Sequence, residues 1–94
     1  MIILRIEHKV ENYELWKKTF DSDPINRKQS SVLRHRIFQL TDDSRYVIID
    51  LEFDTINNAE ATLTALHKLW KNVEGTIMFN PQTQIISLVE TVEY

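Results

Sequence analysis

Histidine is the side chain in this sequence best suited to proton transfer, because the ordinary pKa of imidazole lies near neutral pH. The three histidines are His8, His35 and His67. His8 and His35 follow the alternation of the apolar residues around them, so we expect both to face the covered side of a sheet. There, either imidazole could act as the general base toward a bound organic molecule. The alternative is that each is a partly buried residue held by a backbone or carboxylate partner.

Aromatic side chains at helical spacing predict a pocket wall beside these histidines. Tyr13, Trp16 and Phe20 fall at i, i+3 and i+7, which places them on one face of a helix. His67 and Trp70 are about one turn apart on a second predicted helix. These five side chains are our candidate lining of a pocket for a flat organic molecule. The alternative is that the rings only fill the core.

The residue patterns that most often hold metal ions are missing from this sequence. The chain has no cysteine, which excludes disulfides, thiolate nucleophiles and cysteine-bound zinc. It has neither an HExxH run nor two histidines separated by three residues. The acids Asp21 and Asp23, and the pair Asp42 and Asp43, are too sparse for a calcium loop and are typical of caps and turns. We expect no metal and no cofactor.

The amino-terminal third of the sequence predicts a strand, a helix and a break. Residues 2–9 alternate between apolar and polar side chains, as in a strand with one covered face. Asn12 is suited to cap the helix that carries the aromatic residues. Pro24 must end that helix, and we expect a second short helical segment there, since proline is favoured at a first helical position. Residues 21–27 then either cap helices or control access to the pocket.

The stretch VLRHRIFQLTDDSRYVIIDLEF, residues 32–53, predicts a hairpin with its connection at residues 41–45. Antiparallel pairing in that register gives one mostly apolar face and one face with two pairs of opposite charge. A shift by one residue would mix the two faces. The facing pairs are Leu40–Tyr46, Phe38–Ile48, Arg36–Asp50 and Arg34–Glu52 on one side, and Gln39–Val47, Ile37–Ile49, His35–Leu51 and Leu33–Phe53 on the other.

The carboxyl-terminal part predicts a second helix and a last strand. The sequence NNAE at residues 57–60 resembles a capping box, and an apolar stripe formed by Leu63, Leu66, Trp70 and Val73 continues the helix. Gly75, the only glycine, follows the stripe and fits a left-handed C-terminal cap. Residues 85–93 alternate and predict the last strand, which leaves residues 76–84 as a loop.

The element order β-α-β-β-α-β is the pattern of an α+β, ferredoxin-like fold. We therefore expect one domain over residues 1–94, with a four-stranded antiparallel sheet in the order 4-1-3-2 and two helices on one face. In that order we expect His8 and His35 to approach the same end of the sheet and to share one pocket mouth. The helices can cover only one face, so the other face is left bare.

The bare face combines charge pairs with large apolar side chains. Fully solvated faces of antiparallel sheets exist, but apolar groups interleaved with sign-matched charges suit packing on a second sheet. We therefore expect a homodimer formed back to back through this face. Its members on the hairpin are Arg34, Arg36, Phe38, Ile48, Asp50 and Glu52.

Composition limits the other partners. The formal charge of −3 comes without a cluster of lysine or arginine, so the electrostatic footprint of a protein that binds nucleic acid or anionic lipid is missing. After Met1 the amino terminus has three apolar residues in a row before Arg5, too few for a signal sequence or a membrane span. We expect a cytoplasmic protein that binds neither nucleic acid nor membrane.

The chain resembles the dimeric α/β barrel superfamily, in particular small stand-alone bacterial members related to antibiotic-biosynthesis monooxygenases and to stress-responsive barrel proteins. The resemblance covers nearly the whole chain through element order and length. More locally, the chain resembles a widespread bacterial subgroup without an assigned activity in HKVENYELWKKTFDSDP (8–24), DSRYVIIDLEFD (43–54) and LHKLWKNVEGTIMFNPQ (66–82). The resemblance to the superfamily implies a barrel of two sheets across a dimer, with each pocket between a sheet and its helices. These local motifs name no reaction.

The superfamily includes catalytic and non-catalytic proteins, so three functions stay open. The first is a homodimer that binds a small organic ligand. The second is a cofactor-independent monooxygenase, isomerase or cyclase acting on an aromatic or polyketide-like substrate. The third is an assembly module with a filled core. Haem-degrading relatives suggest His67 as a haem ligand, but the sequence lacks the asparagine that those enzymes use on the first strand, and we expect no haem.

Overall fold

The computed structural model describes residues 1–73, 75 and 78–94, and these form one four-stranded antiparallel sheet with two helices on one face. The strand order is β2-β3-β1-β4, so the predicted ferredoxin-like fold is confirmed. The elements are β1 (Ile2–Val10), α1 (Tyr13–Asp21), β2 (Arg34–Leu40), β3 (Asp43–Phe53), α2 (Ile56–Val73) and β4 (Met78–Ser87).

Helix α1 begins as the sequence predicts. Asn12 is extended, with φ −146° and ψ 122°, and its Oδ1 accepts a hydrogen bond from the backbone N–H of Leu15 at 3.0 Å. The side chain thereby satisfies one of the N–H groups that a helix leaves free at its first turn. Trp16 is the buried residue of this helix, and Lys17 pairs with Asp21 one turn later at 2.7 Å.

The second short helical segment predicted at Pro24 does not form. The chain between α1 and β2 instead makes a series of turns in which Asp23, Asn26 and Ser31 have positive φ values of 57°, 52° and 68°. A right-handed helix cannot pass through left-handed residues, and aspartate, asparagine and serine are common turn formers. Asp23 Oδ1 accepts a hydrogen bond from the backbone N–H of Arg27 at 2.9 Å and so holds the turn closed.

The cap of helix α2 lies two residues earlier than predicted. The N–H of Asn58 donates to the hydroxyl of Thr55 at 3.2 Å, so Thr55 rather than Asn57 caps the helix. A threonine hydroxyl is an effective cap, and the capping-box pattern was two residues out of place. Gly75 has φ +86°, which confirms the predicted left-handed residue just past the helix.

The register of the hairpin is confirmed for the six pairs from Arg34–Glu52 to Gln39–Val47. The turn is tighter than predicted, because Leu40 pairs with Asp43 rather than with Tyr46 and a bulge absorbs the difference. Strand β3 therefore begins at Asp43. Arg45 N–H donates to the carboxylate of Asp43 at 3.0 Å, which is a turn bond typical of aspartate.

The last strand is displaced from its prediction. Strand β4 runs over Met78–Ser87, so much of the predicted loop is strand, whereas residues 88–94 lie outside any strand. Residues 76 and 77 of that predicted loop lie outside the described part of the chain. Pro81 is tolerated because β4 is an edge strand and is irregular at this point. Beyond the strand, Leu88 N–H still donates to Met1 O at 3.0 Å.

The core lies between the sheet and the helices. Alternate residues of β1 and β3 supply most of it, as their period of two requires, and the two tryptophans come from the helices. Its buried members are Leu4, Ile6, Val10, Trp16, Val47, Ile49, Leu51, Phe53, Ala59, Leu66, Trp70 and Met78.

Candidate functional site

A cavity of about 80 Å³ lies between the sheet, the two helices and the turns before β2. A buried water needs about 10–15 Å³ on the same scale, so the cavity holds roughly six waters or a small ring system. Its wall is mostly apolar, with one imidazole and one guanidinium. The lining residues are Ile6, His8, Trp16, Thr19, Phe20, Pro24, Ile25, Arg27, Ile49, Leu51, Leu66, Leu69, Trp70 and Met78.

His8 enters this wall beside an irregularity in the sheet. Glu7 pairs with Gln82 and Lys9 pairs with Phe79, so β4 has extra residues opposite His8. One of them, Asn80, has φ 51°, a left-handed conformation that asparagine tolerates better than most residues. Bulges of this kind bend a strand and redirect side chains, and they are frequent next to functional sites.

The imidazole of His8 is buried and neutral. Only 3% of the residue is exposed, and Nδ1 lies 3.2 Å from the carbonyl oxygen of Lys9. A carbonyl oxygen can only accept, so Nδ1 carries the proton of this contact and Nε2 is the free acceptor. Burial lowers the pKa of His8, and the Lys9 carbonyl opposes that effect more weakly. Among the described residues, no group donates a hydrogen bond to Nε2, which leaves it available to a ligand.

A row of aromatic rings continues from His8 along α1. Trp16 stands edge-on to His8 with 5.8 Å between ring centroids, and Phe20 follows at 5.2 Å from Trp16. Tyr13 packs on Trp16 at 5.8 Å but does not line the cavity. His35 closes the row, edge-on to Phe20 at 5.1 Å. These separations are typical of favourable aromatic pairs, so the rings support one another as a wall.

The expectation that His8 and His35 share one pocket mouth is wrong. His35 pairs with Leu51, which pairs with Leu4, whereas His8 pairs with Val47. Strands β1 and β2 are both antiparallel to β3 and so run parallel to each other, which puts the end of one strand beside the end of the other. The two histidines are about four residues apart along the strands, or roughly 13 Å.

His35 and His67 both lie at the surface. Contact with Phe20 buries part of the His35 ring, and this burial, followed by the charges of Arg27 and Lys17, lowers the pKa of His35. His67 is exposed and stands edge-on to Trp70, with 5.8 Å between the ring centroids. Neither imidazole is among the described residues that line the cavity. Their predicted roles stay predictions.

The uncovered face of the sheet carries a compact set of ion pairs. Arg5 donates through Nε and Nη2 to the two carboxylate oxygens of Asp50 at 2.8 and 2.9 Å. Arg34 Nε and Arg36 Nε lie 3.4 and 3.7 Å from Glu52 Oε2. The predicted Arg34–Glu52 pair is confirmed. Arg36 stands opposite Asp50 as predicted, but the expected ion pair between them does not form, because Arg5 on β1 occupies both carboxylate oxygens of Asp50.

The acids of this face are buried although no described helix covers them. Asp50 and Glu52 are each 1% exposed, and Glu52 Oε2 has no hydrogen-bond partner among the described residues. The hydrogen bond with Asp50 raises the pKa of Arg5. Phe38 remains 41% exposed beside these groups. A buried carboxylate without a hydrogen bond is costly, so the single chain leaves this face incompletely satisfied.

Within residues 1–73, 75 and 78–94, no three histidine or acidic side chains come close enough together to hold a metal ion. Neither described helix combines the length and the apolar character that a membrane span requires.

Known structures share this architecture. No protein-family model matches the chain, and no curated protein matches it. The structure of SnoaB, a cofactor-independent oxygenase from Streptomyces nogalater, matches with a TM-score of 0.76 and 8% identity over 99% of this chain and 97% of SnoaB. The chain has a ferredoxin-like fold. A dimeric ferredoxin-like protein from an uncultured marine organism matches with a TM-score of 0.70 and 13% identity over 97% of each chain.

A further match is a structure named antibiotic biosynthesis monooxygenase, with a TM-score of 0.66 and 10% identity over 96% of this chain and 100% of that protein. At such identities the likeness establishes the fold and nothing finer. The predicted resemblance to ferredoxin-like proteins of the antibiotic-biosynthesis monooxygenase type is confirmed at that level.

Four of the described lining residues were predicted from the sequence, namely His8, Trp16, Phe20 and Trp70. Arg27 was predicted only as part of a segment that controls access, yet it lines the cavity. Arg27 lies seven residues after Phe20 and its Nη1 donates to the carbonyl oxygen of Phe20 at 2.8 Å, but the sequence carries no signal for this contact. That spacing crosses irregular turns, where no periodic rule applies.

Proposed function

We propose that this protein is a homodimer that binds a small, flat, mostly apolar organic molecule in the cavity between sheet and helices. The observation that carries the proposal is the cavity itself, about 80 Å³ and walled by apolar and aromatic side chains around the buried His8. Apolar concave sites with a few polar groups are the usual form of small-molecule sites. An assembly module with a filled core would leave no such space.

The wall favours a ligand that is flat and carries a hydroxyl group. Trp16 and Trp70 present ring surfaces, on which an aromatic ligand packs at favourable offset or edge-on angles. His8 Nε2 is an acceptor without a described donor, so a ligand O–H pointing at it makes the hydrogen bond that the protein lacks. A phenol meets both conditions.

Tryptophan fluorescence provides the test, with 1-naphthol as the probe. We expect saturable quenching, because Trp16 and Trp70 line the cavity. Leu66→Phe should fill part of the cavity and weaken binding by about tenfold, which corresponds to about 1.4 kcal/mol. Thr64→Phe is the matched control, since it adds a ring at an exposed position of the same helix. Equal affinity in both variants would place the probe elsewhere and overturn the proposed site.

The dimer is proposed from the uncovered sheet face. A second copy packed on this face would bury Phe38 and supply donors or water-mediated contacts to Glu52, whose Oε2 accepts no hydrogen bond from the described part of the chain. Arg34 and Arg36 are exposed beside Glu52 and can reach across such a contact. The exposed Phe38 and the half-buried Ile48 of the hairpin match the apolar content expected of a homodimer interface.

Sedimentation velocity and native mass spectrometry test the assembly. We expect a dimer, and Phe38→Asp should dissociate it, because a carboxylate at the centre of an interface is costly to desolvate. Leu15→Asp is the control, since Leu15 is 55% exposed on α1 and lies on the other side of the sheet. A monomeric wild-type protein would overturn the dimer. The same native spectrum reports any small molecule that stays bound.

A second function, cofactor-independent oxygenation of a phenol, is favoured by the state of His8. A neutral imidazole with a free Nε2 can take the proton of a bound phenol, and the resulting phenolate is more easily oxidised by O₂. The matching fold of SnoaB, a cofactor-independent oxygenase, agrees with this possibility. In the balanced reaction one O₂ oxidises the phenol to a quinone and one oxygen atom leaves as water.

An oxygen electrode distinguishes binding from turnover, again with 1-naphthol. We expect His8→Asn to abolish protein-dependent oxygen uptake while it leaves the dissociation constant within about threefold, a change of less than 1 kcal/mol. His67→Asn is the control, because His67 is exposed and outside the cavity wall. Oxygen uptake that survives His8→Asn would remove His8 from the chemistry and leave the binding function standing.

A further inference from the structure

Arg27 is held in the cavity wall by contacts on both sides. Its guanidinium carbon lies 4.1 Å from the centroid of the Phe20 ring, and Nη1 donates to the carbonyl oxygen of Phe20 at 2.8 Å. Its backbone N–H donates to Asp23 Oδ1 at 2.9 Å. The side chain is 16% exposed, so the guanidinium is largely withdrawn from solvent. These contacts fix the plane of the group before any ligand arrives.

The charge of Arg27 is only loosely balanced. Asp23 Oδ1 is the nearest recorded anionic partner, 3.5 Å from Nε, which is too long for a strong charge-assisted hydrogen bond. Asp21 is already paired with Lys17 at 2.7 Å. A guanidinium has five N–H donors, and within the described residues Nε and Nη2 find no hydrogen-bond acceptor.

No other described residue in the cavity wall has a permanent charge. His8 is neutral because burial lowers its pKa, so it does not compete with Arg27 for an anion. The positive field of Arg27 also extends along the aromatic row, since it is one of the causes that lower the pKa of His35. The apolar wall strengthens any attraction between Arg27 and an anion by excluding water.

We infer that Arg27 makes the cavity selective for aromatic molecules that carry an anionic group, such as a carboxylate. The planar guanidinium fork matches a carboxylate, and its unpaired donors lie at the edge of a site whose remaining surface suits a ring. This inference rests on the proposed function, since it specifies the ligand of the same cavity. The aromatic body lies against Trp16 and Trp70, and the anion faces Arg27.

Two probes of nearly the same shape test the inference. 2-Naphthoate is ionised at pH 7.5, whereas 2-naphthamide is neutral, and their dissociation constants are measured by tryptophan fluorescence or calorimetry. We expect wild-type protein to bind the naphthoate about tenfold more tightly, a ratio equivalent to one charge-assisted contact. Arg27→Gln should bring the ratio close to one without weakening 2-naphthamide. Arg45→Gln, which removes an exposed arginine from β3, should leave the ratio unchanged.

The outcomes separate this inference from the proposed function. Equal binding of both probes by wild-type protein overturns the anion selectivity and leaves the cavity as a site for neutral rings. Binding of neither probe overturns this inference, and the proposed function falls with it only if 1-naphthol also fails to bind. If Arg27→Gln does not fold, Arg27→Lys replaces it, because lysine lacks the planar fork and should lower the ratio at least threefold. A ratio that stays at its wild-type value in a folded Arg27 variant refutes the role of the guanidinium.

Discussion

Removing the guanidinium of Arg5 should destabilise the fold by about 2–3 kcal/mol. Arg5 makes two short hydrogen bonds to Asp50, which is 1% exposed, so Arg5→Met leaves a buried carboxylate with its partner gone. Breaking a buried pair in this way costs about 3–5 kcal/mol. The Arg5 side chain is 39% exposed, however, and water can reach the vacated space, so we discount that range.

The measurement is urea unfolding followed by tryptophan fluorescence, which is suited to the two buried tryptophans, Trp16 and Trp70. Because a dimer makes stability concentration-dependent, each variant is measured at two protein concentrations. For a domain of this size the expected loss corresponds to a melting temperature about 10 °C or more lower. The double variant Arg5→Met/Asp50→Asn should recover part of the loss, since burying an amide costs less than burying a carboxylate.

Arg45→Met is the matched control for Arg5→Met. Arg45 is an exposed arginine on β3, and its substitution should change stability by less than about 0.5 kcal/mol. If Arg5→Met costs no more than Arg45→Met, the Arg5–Asp50 pair contributes nothing net and the reasoning is refuted. If the double variant is less stable than Arg5→Met, the buried carboxylate is not the source of the loss.

Three smaller predictions concern the helix ends and the buried imidazole. Asn12→Ala should lower the unfolding free energy by about 1 kcal/mol through loss of the α1 cap, as read from urea midpoints. Gly75→Ala should cost about 1 kcal/mol by backbone strain alone, because φ is +86° and a Cβ there would meet nothing within 4 Å; a neutral result in a thermal melt would contradict this. Burial lowers the pKa of His8 below its ordinary value of 6.5, so the unfolded chain binds the proton more readily and stability should fall as pH drops below about 6.5, with a smaller contribution of the same sign from His35. His8→Asn should flatten this fall between pH 7.5 and 5.5 in guanidinium chloride titrations, and an unchanged pH dependence in this variant would contradict the prediction.

The hairpin shows how much of the fold could be predicted from sequence. The alternation of charged and apolar residues admitted a single register, because a slip of one residue would have put Asp50 and Glu52 into the helix-covered core. The register was therefore predictable, but the partners of the charges were not. The register of β2 and β3 does not show which arginine binds the Asp50 carboxylate, because β1 also lies beside β3. In the structure Arg5 of β1 binds it.

Strand β4 shows where local rules mislead. Pro81 and Asn80 are typical of loops, and the alternation after them is clear only from residue 85. In the structure both residues belong to the strand, because an edge strand needs fewer hydrogen bonds and a bulge accommodates the proline. Sequence patterns report the local backbone preference of a residue. The hydrogen bonds that β4 makes with the neighbouring strand β1 outweigh that preference at Asn80 and Pro81.

The sequence predicted several of the residues in the candidate site, but only some of their relative positions. His8, Trp16 and Phe20 could be assigned to the cavity because their periods of two and 3.6 put them on the faces that meet. The distance between His8 and His35 could not be judged from either period. It depends on the relative direction of two strands that are not neighbours, and that direction follows from both being antiparallel to β3.

Strand β1 needs regular pairing with β3 and irregular pairing with β4, and this limits which substitutions the sheet can accept. On one face Arg5 needs regular pairing with β3, because its two hydrogen bonds to Asp50 depend on the residues standing directly opposite. On the other face His8 stands where the pairing with β4 is irregular, at Asn80 and Pro81. The regular side of β1 therefore supports the surface proposed for assembly, and the irregular side supports the cavity. A substitution that restored a regular β4 ladder beside His8 would stabilise the edge strand and redirect the imidazole.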